Sequence, residues 1–466
     1  MKHYSHYWFT FLLAMMSVAG FAQEYSLGME MDDEKYKATP MKAMLMTRDY
    51  VSVPAKSSLK KWCPTPKSQG RYGTCVGWSS AYAARTIVEA KSNGWTSKQK
   101  ITSNTYSPGF LYKLIKYKTD AGCKRGSHIS DAMQVMVNRG VPKYAEFPIS
   151  CVTSIPSNIF SKAKPHKIQD YARLFDRKYG KNFKIRAMKK SLASGHPVVI
   201  GMKCPRSFFK AKGFWKPSEN PNMRYGGHAM CVIGYDDNKY GGAFEIMNSW
   251  GTKWGNGGFI WIKYDDFANF TKYAYEVIAF PKTLPHEADL SGQLKFILAS
   301  GNQMEADYVR KTNKVGYYKM KKPYASGTQF RIHISNNEPA FVYAIGSDLS
   351  EKTFMIFPHK RSISPALNYK SNNVAIPNED YYIKMDNNIG TDYMCVLYSK
   401  KKLNIRSIRK QLSKYKGSFV DRIEKVMAAD LVSSKNAQFS SDKINFKAAS
   451  SGKSVVAMVV EITHVR

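Results

Sequence analysis

The sequence predicts an α+β chain: helices first, strands second, packed as two lobes with a cleft between them, followed by a β-sandwich-like domain with a helical insert. Three observations carry this. Within the first region, up to about residue 284, helical periodicity comes before residue 195. The period then changes to that of strands. A second strand-rich series follows residue 286 and is broken by helical patterns around 404–415 and 419–432. With 466 residues, 43% hydrophobic and 23% charged, the chain has the material for more than one core.

The elements read in order. Lys2 precedes an apolar run from Trp8 to Phe21, and small residues at Gly20 and Ala22 fit cleavage after Ala22. So short a run reads as a signal peptide, residues 1–22, rather than a membrane span. No later stretch holds 18 consecutive apolar residues. The mature chain is therefore expected to be exported, periplasmic or extracellular, with no transmembrane span. Residues 23–58 are weakly periodic and read as a leader segment. A helix is predicted from 75 to about 92, stopped by Asn93-Gly94. Others cover 107–117 and 129–138, and one ends over 188–193 before Gly195. Strands are predicted at 197–200, 228–235, 243–248 and 259–263. A boundary near Pro281 to Pro285 separates residues 59–284 from a β-rich accessory domain, 286–466. There Phe330, Ile332 and Ile334 alternate with Arg331, His333 and Ser335, a half-buried strand. Further strands are predicted at 341–345, 354–357, 381–385, 393–398 and 455–462.

The net charge is +36. It would draw the chain to anionic surfaces, such as a cell-envelope polymer. The densest run, Lys400 to Lys416, carries Arg406, Arg409 and Lys410 in an amphipathic helical pattern. It reads as a solvated basic face, since no motif for a specific nucleic-acid site accompanies it. Seven cysteines include no C-x-x-C pair and no metal-ligand spacing, so no metal or cofactor is implied. Cys231 and Cys395 lie in strand-like apolar runs and read as buried thiols. With Cys75 set aside, Cys63, Cys123, Cys151 and Cys204 allow three connectivities.

Three clusters carry chemistry. In the first, Ser68-Gln69-Gly70-Arg71-Tyr72-Gly73-Thr74-Cys75, a cysteine opens a helix. The helix N-terminus favours thiolate over thiol. The Gln69 amide and the Cys75 N–H are candidate donors to a developing oxyanion. A structural cysteine explains this cluster alone equally well. In the second, Gly226-Gly227-His228-Ala229-Met230-Cys231, a histidine follows two glycines at the start of a strand. Taken alone it is more simply structural. In the third, Asn248-Ser249-Trp250-Gly251 continues to Trp254-Gly255 and Gly258. An asparagine amide can orient an imidazole, and Trp250 can keep water from that bond. An aromatic-rich hairpin is the structural alternative.

Together, in this order, these motifs resemble the papain-like cysteine peptidases. Tyr106-Ser107-Pro108-Gly109-Phe110-Leu111-Tyr112, Gly122-Cys123 with Gly126, and Gly195-His196-Pro197-Val198 extend the resemblance, which covers about 59–284. The resemblance implies the papain-like two-lobe fold, a helical lobe plus a β-barrel-like lobe. It implies hydrolysis of protein or peptide substrates through a thiolate and an acyl-enzyme. Cys75 would be the nucleophile, His228 the base and Asn248 its orienter. Gln69 would hold the oxyanion. Gly126, Gly227 and Trp250 would line the substrate site.

Departures from the family pattern are Tyr72, where a cysteine is usual, Val76 after the nucleophile, and Lys124, Arg125 and His128 around Gly126. Without a cysteine at 72, Cys123 needs another partner. The pairings expected are Cys123–Cys151 and Cys63–Cys204. The family's long helical propeptide is not recognisable, so any latency would come from the short leader or from the accessory domain. Two other functions use the same residues: an inactive papain-like binding module, and an acyl-transfer enzyme such as a transpeptidase or amidase.

Overall fold

The computed structural model describes residues 25–43, 53–176, 178–280, 287–311, 315–348, 352–369 and 373–466. The expected signal peptide and the expected boundary at 281–285 lie outside the described residues.

The helix expected from residue 75 runs unbroken through Cys75–Gly77, Trp78–Arg85 and Thr86–Ser92. Its middle section is a π-helix with every residue buried, a form often found at functional sites. Gly77 lets the next helix approach: a Cβ there would lie 2.5 Å from the Pro108 carbonyl oxygen. That helix, Pro108–Ile115, starts where Ser107 caps the Phe110 N–H and proline takes the first turn. Ile129–Asn138 buries Ile129, Ala132, Met133 and Met136, a helical stripe. Lys181–Ala193 begins well before the predicted 188–193. Only its last turns bury side chains, Met188, Ser191 and Leu192, so only they look periodic.

The strand lobe is one sheet of eight strands. Its order is Asp170–Arg173, Thr271–Ile278, Val198–Cys204, Gly226–Asp236, Ala243–Met247, Phe259–Lys263 and Gly213–Trp215. Lys56–Ser58, within the stretch read as leader, pairs with Gly226–Asp236. The register matches Met202 with His228 and Cys231 with Met247. It thereby carries His228 and Asn248 toward the same end of the sheet. Helices and sheet share one core that includes Val76, Phe110, Met133, Val199, Val232 and Ile246.

Beyond residue 287 two sheets face each other. Val342, Ala344, Val396, Met458 and Val460 of one meet Leu294, Phe296, Ile332 and Ile334 of the other. The first sheet is buried on its second face too. There Phe341, Tyr343, Ile345, Leu397 and Val459 pack against Phe419, Ile423 and Met427 of the helical insert. The insert consists of Ile405–Leu412 and Phe419–Met427. Ala172, Ile278 and Phe280 join this same cluster, so the two halves of the chain share a core. The expected strand at 381–385 pairs only over Ile383–Lys384.

The leader is more ordered than its sequence suggests. Residues 25–31 are extended, and Asp32 caps the helix Asp33–Ala38 by accepting from the Lys35 N–H at 2.9 Å. Tyr36 is buried against Tyr273 and Tyr275, with ring centroids 4.6 and 5.2 Å away, and donates to the Phe175 carbonyl at 2.7 Å. Among the described residues no helix is long and apolar enough to cross a membrane.

Candidate active site

Cys75 is fully buried at the first position of its helix. Its sulfur accepts from the Ala229 N–H at 3.4 Å. His228 Nε2 lies 2.7 Å from Asn248 Oδ1, which also accepts from the Ser249 N–H at 2.7 Å. An oxygen that already accepts one N–H fixes the imidazole as donor at Nε2. His228 Nδ1 is buried and makes no hydrogen bond. Trp250 stacks on His228 at 4.6 Å and shields the bond to Asn248. Gln69 is locked from behind: its Oε1 accepts from Ser249 Oγ at 2.6 Å, and its N–H donates to Ser249 O at 2.8 Å. Its amide nitrogen donates to Tyr72 O at 2.8 Å and to Ser26 O at 3.0 Å.

That last bond comes from the leader, which lies along the whole site. Tyr25 stacks on Trp250 at 4.8 Å, and Trp250 Nε1 donates to Ser26 O at 3.2 Å. The Gly28 N–H donates to Gly227 O at 3.3 Å. Met29 donates to Gly227 O at 3.0 Å and lays its thioether against Gly201, where a Cβ would lie 2.9 Å from the Met29 methyl carbon. Ser127 N–H donates to Gly28 O, and Glu30 N–H donates to Ser127 O, both at 3.0 Å. The glycines make this possible. A Cβ on Gly28 would sit 2.0 Å from Gly73 O, and one on Gly227 would sit 2.1 Å from Met29 O.

This is an occupied site without a productive complex. Attack on a carbonyl needs its carbon against the sulfur and its own oxygen at the donors. Here the oxygen at Gln69 belongs to Ser26, while the Cys75 sulfur accepts from the Ala229 N–H of the protein itself. Burial pushes the Cys75 thiol up to about 12, against the N–H groups of Ala229, Val76 and Gly28. Burial likewise holds the His228 imidazole down at about 4, against the bond to Asn248. The covered pair is therefore neutral thiol and neutral imidazole.

The sequence-derived residues Cys75, His228, Asn248, Gln69, Gly227 and Trp250 come together. Gly126 also lies here, at φ +92°, with room for Gly28 O against its α-carbon. The strand-like pairing, however, runs through Ser127, because the Gly126 N–H donates to Tyr112 OH at 3.1 Å. Tyr112 donates in turn to Asp120 at 2.7 Å. Ser249, Tyr112 and Ser127 are contributors the sequence reading did not single out, although Ser249 and Tyr112 lie inside motifs it used. Lys124 and Arg125 are exposed. His128 stands 3.6 Å from the Glu30 carboxylate, which also accepts from Tyr117 OH at 2.5 Å.

Cys123–Cys151 is a disulfide, as expected. Cys63–Cys204 is not: both are buried free thiols. The Cys63 thiol bonds to Leu59 O at 3.6 Å and neighbours Cys231, while Cys204 neighbours Cys75. Cys231 and Cys395 are buried thiols, as read. Among the described residues no group of three or more His, Cys, Asp or Glu side chains is placed to hold a metal.

Comparison with known proteins agrees with this geometry. Residues 53–278 match the family described as papain family cysteine protease. Those residues belong to the papain family. Residues 323–402 match a domain of unknown function, DUF4384. An uncharacterized peptidase C1-like protein of Acanthamoeba polyphaga mimivirus is 27% identical over 209 residues, covering 42% of this chain and 63% of that protein. Cathepsin K of Gallus gallus is 27% identical over 212 residues, covering 43% of this chain and 56% of its own length. The chain thus spans less than two thirds of these relatives. Among solved structures, xylellain, a cysteine protease from Xylella fastidiosa, aligns with a TM-score of 0.44 at 21% identity, over 55% of this chain and 96% of its own.

Proposed function

We propose that the protein is an exported cysteine peptidase made in a latent form, with its leader covering the catalytic cleft. The observation that carries this is the convergence of Cys75, the His228–Asn248 pair and the Gln69 amide on a bound stretch of peptide backbone. Once the leader leaves, water and the helix N-terminus favour the thiolate and imidazolium. The Cys75 sulfur then attacks the substrate carbonyl carbon. Gln69 and the Cys75 N–H receive the oxyanion, and His228 gives its proton to the departing amine. His228 next takes a proton from water, whose oxygen displaces the thiolate from the acyl group. Export is supported by the signal-like residues 1–22 and by the Cys123–Cys151 disulfide, which persists in oxidising compartments.

The test is covalent labelling of Cys75 by an epoxide inhibitor of papain-like enzymes, located by mass spectrometry, on chains starting at 23 and near 53. Rapid single-site labelling of the shorter chain, lost in His228→Ala, is the expected result. No labelling of the shorter chain, with Cys75 shown to be reduced, would sink the proposal. Product analysis on a peptide with an added amine acceptor separates hydrolysis from acyl transfer.

A further inference from the structure

The leader is held at both ends, and the second hold belongs to the domain of unknown function. After the helix Asp33–Ala38, residues 40–42 pass as an extended strand between the two halves of the molecule. On one side Arg173 N–H donates to Pro40 O at 3.0 Å and Lys42 N–H donates to Arg173 O at 2.9 Å. On the other side Met41 N–H donates to Ser362 O at 2.6 Å and Ser364 N–H donates to Met41 O at 2.7 Å. The alternation is that of a strand between two neighbours. Ala43 is buried in the core between the accessory domain's two sheets.

Side chains close the joint. Lys42, itself buried, forms an ion pair with Glu276 and lies 3.5 Å over the Tyr369 ring. Asn368 Nδ2 donates to Glu276 at 2.8 Å, and Ser191 Oγ donates to it at 2.5 Å. His196 Nε2 lies 3.3 Å from Asn368 O.

We propose that the accessory domain is the receptor for the leader. Its surface from Ser362 to Tyr369 grips residues 39–43 and thereby keeps residues 25–30 in the catalytic cleft. All its gripping residues lie within the stretch matched to the domain of unknown function. The functional consequence, latency, rests on the peptidase reading above; the grip itself does not.

Hydrogen exchange on the full mature chain tests it, followed at the amides of Met29 and Glu30. Met41→Pro removes the N–H that bonds Ser362 and sets a ring carbon in its place, while the Arg173 bonds, made through Pro40 O and the Lys42 N–H, keep their donors and acceptors. Asn368→Ala weakens the grip from the other side. Gly28→Val serves as a reference, because its side chain cannot fit against Gly73. Exchange at 29–30 is expected to quicken at least ~10-fold in all three, with Cys75 labelled by the epoxide faster in parallel. Unchanged exchange in Met41→Pro, with Gly28→Val fast, overturns the proposal and leaves the peptidase reading intact. Fast exchange without labelling in any variant supports the grip and defeats the peptidase reading. If Asn368→Ala does not fold, Met41→Pro decides.

Discussion

Two buried polar clusters lie at opposite ends of the leader, and they are built in opposite ways. At the junction with the accessory domain, both oxygens of Glu276 have partners: Lys42 and Asn368 on one, Ser191 and Tyr369 on the other. Burial alone would raise that carboxyl, yet the Lys42 ammonium beside it keeps it ionised, down at about 2. In the catalytic cleft the reverse holds. Cys75 and His228 are neutral, and His228 Nδ1, Asn248 Nδ2 and Thr74 Oγ1 are buried without hydrogen-bond partners. Unpaired buried polar groups cost stability, on the order of 1–3 kcal/mol each. At the junction the Glu276 carboxylate is fully paired, although Asn368 Oδ1 beside it is buried without a hydrogen-bond partner. In the cleft the unpaired atoms include one on the catalytic imidazole itself.

Breaking each cluster should therefore give different signatures. The largest effect belongs to the cleft. His228→Ala is expected to lower kcat/KM of the leader-free enzyme on the order of 10,000-fold or more, and to lower the melting temperature as well, because the ring's stack on Trp250 and its bond to Asn248 are lost. Activity that survives the substitution would mean that His228 is structural only. At the junction, Lys42→Met leaves Glu276 as an uncompensated buried charge and should cost about 3–5 kcal/mol. The pair Lys42→Met with Glu276→Gln should recover much of that loss in the same thermal melt. An equal loss in both variants would show that Lys42 acts through packing on Tyr369 rather than through charge.

Acid separates the two clusters further. An imidazole held at about 4 when covered, against an ordinary value near 6.5, binds its proton better once uncovered. The closed form therefore has its full advantage above pH 6.5, loses it as pH falls, and loses no more below about pH 4. Over that window the loss from His228 is about 3 kcal/mol. Epoxide labelling of the full mature chain should accelerate between pH 6.5 and 4. His196 at the junction is held at about 4 as well, mainly by burial, with Lys42 and Lys91 adding and Glu276 opposing. His196→Asn should leave most of the acid response in place. A response that disappears with His196 would move the acid-sensitive step from the cleft to the grip.

Much of the cleft was legible in the sequence because its residues are clustered in short motifs. Gln69 and Cys75 share one loop, and Asn248, Ser249 and Trp250 are consecutive. The leader's role was not legible. Residues 25–30 bind through backbone, so Gly28 and Ser26 carry no side-chain signal for it. The grip at 40–42 is equally a matter of backbone register. The Cys63–Cys204 pairing failed for a related reason: spacing does not reveal that the two thiols face different neighbours. In the accessory domain, Phe341 to Ile345 and Val455 to Ile462 stood out because both faces of that sheet are buried. Leu290–Leu298 and Asn445–Ala448 were missed. Buried Ser291 and the more exposed Gln293, Lys295, Asn445 and Lys447 alternate with their apolar residues and interrupt the apolar pattern.

The smallest expected effect lies at the rim, where the leader's Glu30 meets Tyr117 and His128. The contact is largely exposed, so Glu30→Gln should weaken leader binding by about 0.2–1 kcal/mol, less at high salt. The same positions bear on substrate choice. Tyr117 and His128, with the Arg125 guanidinium 4.6 Å over the Tyr117 ring, offer a carboxylate two donors and a nearby positive charge. A leader-free enzyme should therefore cleave a peptide with glutamate at this position a few-fold faster than its glutamine counterpart. Tyr117→Phe should erase that preference without lowering turnover of the glutamine peptide. If Glu30→Gln loosens the leader but the two peptides are cleaved alike, the rim contact serves the leader alone.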